Sequence, residues 1–353
     1  MTGASSFTGY WFARTLQARG HEVVAPLRAH RMSYTGIRGE RVADLEKRGV
    51  ALLDEVPFGR QKFLDLVRKG ADVLCHHAAR VENYRSLDFD ILAALDANTS
   101  NAKALFEEAK KSGIRTVIHT GSVFEQGEGC GEHPLRAFSP YGLSKTLTHQ
   151  LLQYWTDHYN IPLSKFVIPN PFGPFEEPRF CDYLLKCWIK GVTATVKTPA
   201  YVRDNIHVSL LALAYADFVE RKSQFTNPET FGPSGYVETQ GVFAERFARE
   251  IGSRLNIPTP VELMPQTEFS EPRIRINKDL PDIKKLGWDE EKAWDELGEY
   301  YRGVMHERLG KPVRGKGPER MLSAPLSLLE NGSRMDHCPD TRFLGFFEES
   351  FRI

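Results

Sequence analysis

Met1-Thr2-Gly3-Ala4-Ser5-Ser6-Phe7-Thr8-Gly9 opens the chain and runs into a helical stretch, Tyr10 to Arg19, which Gly20 stops. His21-Glu22-Val23-Val24-Ala25 then reads as a strand. A glycine-rich turn feeding a helix N-terminus collects free N–H groups and the positive end of the helix dipole, which suits a pyrophosphate. Gly3 permits the tight turn, and Gly9 permits a close helix–strand approach. Ser6, with Phe7 behind it, stands where the middle glycine of such turns is usual. Its hydroxyl either crowds a pyrophosphate or bonds to it. The strand that should precede the turn is missing, since only two residues stand before Gly3. In a doubly wound sheet that strand is central, and without it the neighbouring backbone groups lose their partners. The expectation is a start placed downstream of the true one, or a fragment.

Working outward, strand and helix alternate. Pro26-Leu27-Arg28 follows the second strand and carries no acidic residue to hold a ribose 2′-hydroxyl. Arg28, with Arg31 near it, suits a 2′-phosphate instead, so the cofactor is NAD or NADP with the balance towards NADP. Val50 to Leu53 is a strand, Gln61 to Lys69 a helix, and Asp72 to Ala79 a strand ending in a small-residue turn. There Ala78 and Ala79 let a cofactor approach the backbone. His76 and His77 alternate to opposite faces and have no partner at ligand spacing, so no metal site is expected. Leu92 to Lys111 reads as one long helix containing Asn98, and Thr116 to His119 as the next strand. Strands joined by helices of this length imply right-handed βαβ units and a parallel sheet. The last of these strands ends in Thr120-Gly121-Ser122-Val123-Phe124, where ligands of such sheets lie and where a hydroxyl can address a substrate oxygen.

Ser139-Pro140-Tyr141-Gly142-Leu143-Ser144-Lys145 leads an amphipathic run from Thr146 to Tyr159. At helical pitch Tyr141 and Lys145 share a face. A fixed ammonium beside the phenol would lower its pKa from the usual ~10 and fit it for acid–base work on an alcohol or sugar oxygen.

Taken in order, Thr2-Gly3 with Gly9, the Ala78-Ala79 turn, Thr120-x-Ser122-Val123-Phe124 and Tyr141-Gly142-Leu143-Ser144-Lys145 resemble the extended short-chain dehydrogenase/reductases. More narrowly they resemble the NAD-dependent epimerase/dehydratase group that acts on nucleotide sugars. Asn170-Pro171-Phe172-Gly173-Pro174 is similar to that group's Asn-x-Tyr-Gly-Pro turn. Tyr201 to Val208 is similar to its Arg-Asp-x-x-x-Val strand, and Leu286-Gly287-Trp288 to its Leu-Gly-Trp. The resemblance spans residues 1 to 303. It implies Tyr141 as acid–base group, Lys145 on the nicotinamide ribose, Thr120 (with Ser122 as second choice) as active-site hydroxyl, and Gly3 and Gly9 at the pyrophosphate. It also implies Asn170 at the substrate, with Arg203, and Arg275 as second candidate, on a diphosphate. A homodimer is implied as well. Ser209 stands in place of the family's aspartate, and Val167-Ile168-Pro169 in place of an arginine. Gly121 and Ser122 replace the Asp-Glu pair of 4,6-dehydratases, which disfavours dehydration and leaves epimerisation or ketoreduction.

The 353 residues carry net charge +0, which gives no electrostatic reason to expect nucleic acid or an anionic membrane. No apolar run approaches the ~18 residues of a membrane span, and no signal pattern opens the chain. Five scattered cysteines without a CxxC pair imply reduced thiols and a cytoplasmic setting. The fold expected is α/β: a Rossmann-type doubly wound parallel sheet over 1–168, a smaller substrate-binding α/β subdomain over 169–303, interleaved with it, and a C-terminal extension over 304–353. The function expected is an NAD(P)-dependent nucleotide-sugar epimerase or ketoreductase. The alternative is a non-catalytic dinucleotide-binding regulator or scaffold, motivated by the missing strand, Ser6 and the tail.

Overall fold

The structure, a computed structural model, describes residues 1–224 and 227–308. Ser6 caps helix α1 (Phe7–Ala18), its Oγ accepting from the Gly9 N–H. Then come β1 (Val24–Pro26), α2 (Gly36–Lys47), β2 (Ala51–Leu53), α3 (Gln61–Arg68), β3 (Val73–His76), α4 (Ile91–Thr99), α5 (Ala102–Lys111) and β4 (Thr116–Ser122). The expected helix from Leu92 to Lys111 is therefore two. Asn101 sits at φ 54°, in the left-handed region, and its Nδ2 donates to Gly59 O at 2.7 Å. That turn interrupts the helix between Thr99 and Ala102.

The chain continues through β5 (Cys130–Gly131), α6 (Pro140–His158), β6 (Leu163–Ile168), β7 (Asn170–Phe172), α7 (Phe180–Ile189), β8 (Ala194–Val196), β9 (Val202–His207), α8 (Val208–Gln224) and β10 (Thr230–Phe231). It ends in β11 (Tyr236–Thr239), α9 (Gln240–Leu255), β12 (Val261–Leu263), β13 (Ile274–Ile276), α10 (Ile283–Leu286) and α11 (Glu290–Arg308). The C-terminal extension beyond 308 lies outside the described residues.

Strands β3, β4, β6 and β10 form a parallel sheet, and β1 pairs with β2 in parallel beside it. Among the described residues, Met1 and Thr2 stand between β1 and β3. Met1 N donates to Val24 O at 2.7 Å and Thr2 N to Cys75 O at 2.9 Å. These two residues occupy the place of the central strand, and the strand order reverses there. In open α/β sheets such a crossing point is where ligands bind, and the glycine turn leaves from it.

Helices cover both faces: α1 packs on α2 and α8, while α3 and α6 pack against α5, and α6 also against α4. Phe12 of α1 is fully buried and stacks on Tyr215 of α8. A second sheet, β11-β9-β13-β5, with β7 alongside β9, carries its own core of Phe172, Trp188, Phe243, Phe247 and Trp294 from β7, α7, α9 and α11. The architecture is α/β with a doubly wound parallel sheet and a smaller α/β unit. Among the described residues no helix is long and apolar enough to cross a membrane.

Candidate active site

One cleft of about 1920 Å³ runs from the glycine turn, past the ends of β3, β4 and β7, to β9 and the start of α9. A pocket for a single small ligand is usually about 300–1,000 Å³, so there is room for two. Gly3 lines it at φ +76°, a conformation glycine adopts freely. A Cβ at Gly9 would fall 2.1 Å from Gly3 O. The cradle therefore keeps its shape only without side chains there, and it fits a dinucleotide pyrophosphate at the α1 N-terminus. Ser6 Oγ does not face outward to meet such a group. It donates to Gly3 O (2.8 Å), accepts from Gly9 N (3.2 Å) and touches His77 Nε2 (3.1 Å). Phe7 lines the cleft. Ala78 and Ala79 line it too, and Ala78 N–H is fixed by Thr2 Oγ1 at 2.9 Å. Asn98 is a tie: its Oδ1 accepts from Arg80 N and its Nδ2 donates to Thr148 Oγ1.

Arg28 is exposed at the cleft edge, with Nη1 3.5 Å from Glu82. Arg31, its expected helper, is held elsewhere. Its Nε donates to Asp54 at 2.8 Å and its Nη1 to Glu46.

Ser139 caps α6 by accepting from Gly142 N at 3.0 Å, and Pro140 fits the first turn, where no donor is needed. This cap presents Tyr141 to the cleft. The helix end also lies hard against the turn after β4, since a Cβ on Gly142 would meet Phe124 O at 2.3 Å. Tyr141 packs edge-on against Tyr84 (5.5 Å) and Phe89 (6.0 Å). Burial raises its pKa well above the ordinary value, the Glu125 charge and Tyr84 add to this, and Arg179 pulls it back. The cation the phenol feels is thus Arg179, whereas Lys145 was expected. Lys145 Nζ turns into the sheet, donating to Thr120 O at 2.6 Å and meeting His119 Nε2 at 3.3 Å. Burial holds that ammonium down to about 8, against the pull of Glu125.

Thr120 lines the cleft, yet its Oγ1 is sealed without a hydrogen-bond partner among the described residues, beside the Tyr215 phenol. Ser122 lines it as well, its Oγ accepting from Phe124 N at 3.3 Å. Asn170 on β7 lines the same cleft. Arg203 on β9 does too, although its Nη2 pairs with Glu271 at 2.9 Å and its Nη1 donates to Val202, Pro272 and Arg273 carbonyls. Arg275, expected beside the substrate, is 1% exposed. Its guanidinium donates to Val123 O, Glu125 O and Arg136 O. It fixes the turn that follows β4 and does not line the cleft.

Residues 1–231 match the NAD dependent epimerase/dehydratase family. The chain belongs to this family. It has the build of its NAD-dependent enzymes of the extended short-chain dehydrogenase/reductase type. A UDP-glucose 4-epimerase of Mycolicibacterium smegmatis is 24% identical over 332 residues, covering 89% of this chain and 96% of that protein. Among solved structures, UDP-glucuronic acid 4-epimerase from Bacillus cereus, in complex with UDP-glucuronic acid and NAD, superposes at TM-score 0.65 with 17% identity. That match covers 86% of this chain and 98% of the other. The UDP-glucose 4-epimerase of Thermus thermophilus, complexed with NAD, does so at 0.63 and 18%, with the same coverage.

The sequence reading passed over four residues that the family fold brings to this site. Glu125 is fully buried, accepts from Ser122 N at 2.7 Å and pairs with Lys165 at 2.5 Å. Arg41, also fully buried, ties the glycine turn to the turn after β7 through Ser5 O (3.2 Å), Phe175 O (3.0 Å) and Glu177 (2.6 Å). Glu176 and Arg179 stand on that same turn and line the cleft. For Glu176 and Arg179 the signal was local: a Glu-Glu-Pro-Arg run one residue after the Asn-x-x-Gly-Pro turn.

Proposed function

We propose that this chain binds NAD and a nucleotide-diphosphate sugar, of the UDP-sugar kind, and epimerises the sugar by reversible oxidation at one carbon. The observation that carries this reading is the single cleft joining the glycine cradle at the sheet's crossing point to Tyr141 at the capped start of α6. Bound NAD would supply the redox chemistry, accepting hydride from the sugar carbon and returning it. Tyr141 moves the proton at the sugar oxygen. Burial keeps the phenol protonated in the free protein, which suits it to donate to a keto oxygen. The reverse step, accepting the hydroxyl proton, is assisted by the field of Arg179. Ser122, which the resemblance made second choice, is the hydroxyl set for the sugar oxygen, since Thr120 Oγ1 is sealed beside the Tyr215 phenol. Lys145 lines the ribose side of the cofactor site with its ammonium held on Thr120 O, and Gly3, Ala78 and Ala79 line its pyrophosphate side. Asn170 and Arg203 serve the nucleotide diphosphate.

NAD is preferred over NADP because the relatives described above are complexed with NAD and Arg28 already faces Glu82. Mass spectrometry of small molecules released by acid from freshly purified protein checks this. Retained NAD is expected. NADP, or an empty site that fills only with NADPH, would turn the reading to a ketoreductase with Arg28 on the 2′-phosphate. Tyr141→Phe is expected to lower turnover of a UDP-sugar panel by about 10²–10⁴-fold while leaving NAD retention intact. Near-normal turnover in that variant would sink the mechanism and return the scaffold alternative. Pairing into a homodimer is read from sedimentation of the same preparation.

A further inference from the structure

Two ionisable side chains on the turn after β7 line the cleft and keep polar atoms unpartnered among the described residues. Glu176 Oε2 is sealed from solvent and has no hydrogen-bond partner among the described residues. The Arg179 side chain forms no hydrogen bond or ion pair within the described residues. Its guanidinium lies 5.5 Å from the Tyr84 ring centre, and the Tyr84 ring is 5.5 Å from that of Tyr141. Both residues line the cleft. Of three other arginines near the cleft, Arg41 pairs with Glu177, Arg203 with Glu271, and Arg275 donates to backbone carbonyls. Arg179 is also the N-terminal cap residue of α7, yet its side chain makes no capping bond. Helix geometry therefore does not account for it.

We infer that Arg179 and Glu176 form a subsite for a carboxylate carried on the sugar ring, so that the preferred substrate is a nucleotide-linked sugar acid. The inference rests on the nucleotide-sugar reading above and narrows its substrate class. A planar guanidinium with open donors matches a carboxylate by a two-pronged bond. A hydroxyl in the same place would leave the charge without a counter-ion in a half-buried cleft. Burial pushes the Glu176 carboxyl up to about 8, with Arg179 opposing and Glu177 and Asp182 adding to the rise. At neutral pH it therefore holds its proton and sets no second negative charge beside the anion that Arg179 binds. Cys181 on α7 and Tyr301 on α11 are the other titratable groups that face Glu176, and Tyr84 and Tyr141 face Arg179.

Calorimetric titration of the full chain, saturated with NAD, with UDP, UDP-glucose and UDP-glucuronate tests this. At pH 6.5 the wild type is expected to bind UDP-glucuronate about tenfold or more tighter than UDP-glucose, the scale of a charge-assisted contact. Arg179→Met should erase that preference and leave UDP binding within about twofold, which also reports a folded protein. Arg179→Lys keeps the charge without the fork and should retain only part of the preference. From pH 6.5 to 9 the wild type should lose UDP-glucuronate affinity as Glu176 ionises, while Glu176→Gln should show a flat profile. Equal weakening of all three ligands by Arg179→Met would assign Arg179 to the diphosphate and overturn the proposal. A wild type that binds the two sugars alike would overturn it too. No binding of UDP itself would defeat the nucleotide-sugar reading, and this subsite with it.

Discussion

Glu176 makes the empty protein's stability depend on pH in a direction opposite to that of a salt-bridged carboxylate. Its ordinary value of 4.5 is raised to about 8 by burial. Between those values the unfolded chain has released a proton that the folded chain still holds. Stability therefore falls as pH rises across that window. Below it both states are protonated and nothing is lost; above it both are ionised and the buried charge costs its full amount. Glu176→Gln keeps the shape and removes the titration. The variant should match wild type near pH 5 and exceed it by roughly 2–4 kcal/mol at pH 8.5 in urea unfolding without ligand. An equal gap at both pH values would show that the carboxyl does not hold its proton. At this scale the sequence was legible where function is written in short spacings. Tyr141, the glycine turn and Asn170 all line the one cleft. It was illegible where a role depends on which way a long side chain turns. Tyr141 and Lys145 do share a face of α6, but Lys145 finds the Thr120 carbonyl within reach and settles there. The cation that reaches Tyr141 comes from the start of α7, far along the chain, which no helical spacing can reveal.

Among the elements, α1 does two jobs with different parts of one helix. Its N-terminus forms the cradle, and its inner face joins the two parts of the first sheet to α8. Phe12 stacks on Tyr215 with centroids 3.9 Å apart and 4° between planes, and meets Phe166 of β6 edge-on at 5.8 Å. Phe12→Ala would remove a fully buried ring with rigid neighbours around it, so it should cost about 3–5 kcal/mol. The midpoint shift in urea at constant slope measures this. A loss below about 1 kcal/mol would mean that the site collapses freely and α1 is not a keystone. The helix–strand alternation of the first sheet could be read because apolar runs and glycine stops mark each element. Two features could not be read. Helix α2 buries only Arg41, Val42 and Leu45, too weak a stripe to stand out. The break between α4 and α5 arises from Asn101 reaching Gly59 O across the fold, and the apolar pattern runs straight through it. Arg41 misleads for a related reason: an arginine on a helix reads as a solvated one until the turn it grips is known.

For the whole molecule the consequence lies in how the first sheet is joined. Among the described residues, Met1 bonds to Val24 O of β1 and Thr2 to Cys75 O of β3. The remaining coupling passes through α1 and its packing on α8. The β1–β2 register is three residue pairs long and the β4–β6 register six, so the β1–β2 pair with α2 should open more easily than β3-β4-β6. The cofactor cradle sits on that same line. Its lining comes from both sides, with Pro26 and Leu27 from the β1 side and Ala78 and Thr120 from the other. A ligand spanning it is selective for the joined state. At about one hundred times its dissociation constant it should stabilise the fold by about 2.7 kcal/mol. Hydrogen exchange with and without saturating NAD distinguishes where that energy goes. Amides of Ala25 and Leu52, in register across β1 and β2, should exchange fastest among the parallel strands of the free protein and gain the most protection on binding. Protection gained equally by β4 and β6 would mean that the sheet opens only as one unit. Protection confined to β3 and β4 would mean that NAD engages one side of the crossing alone, and the cradle at α1 would lose its assignment.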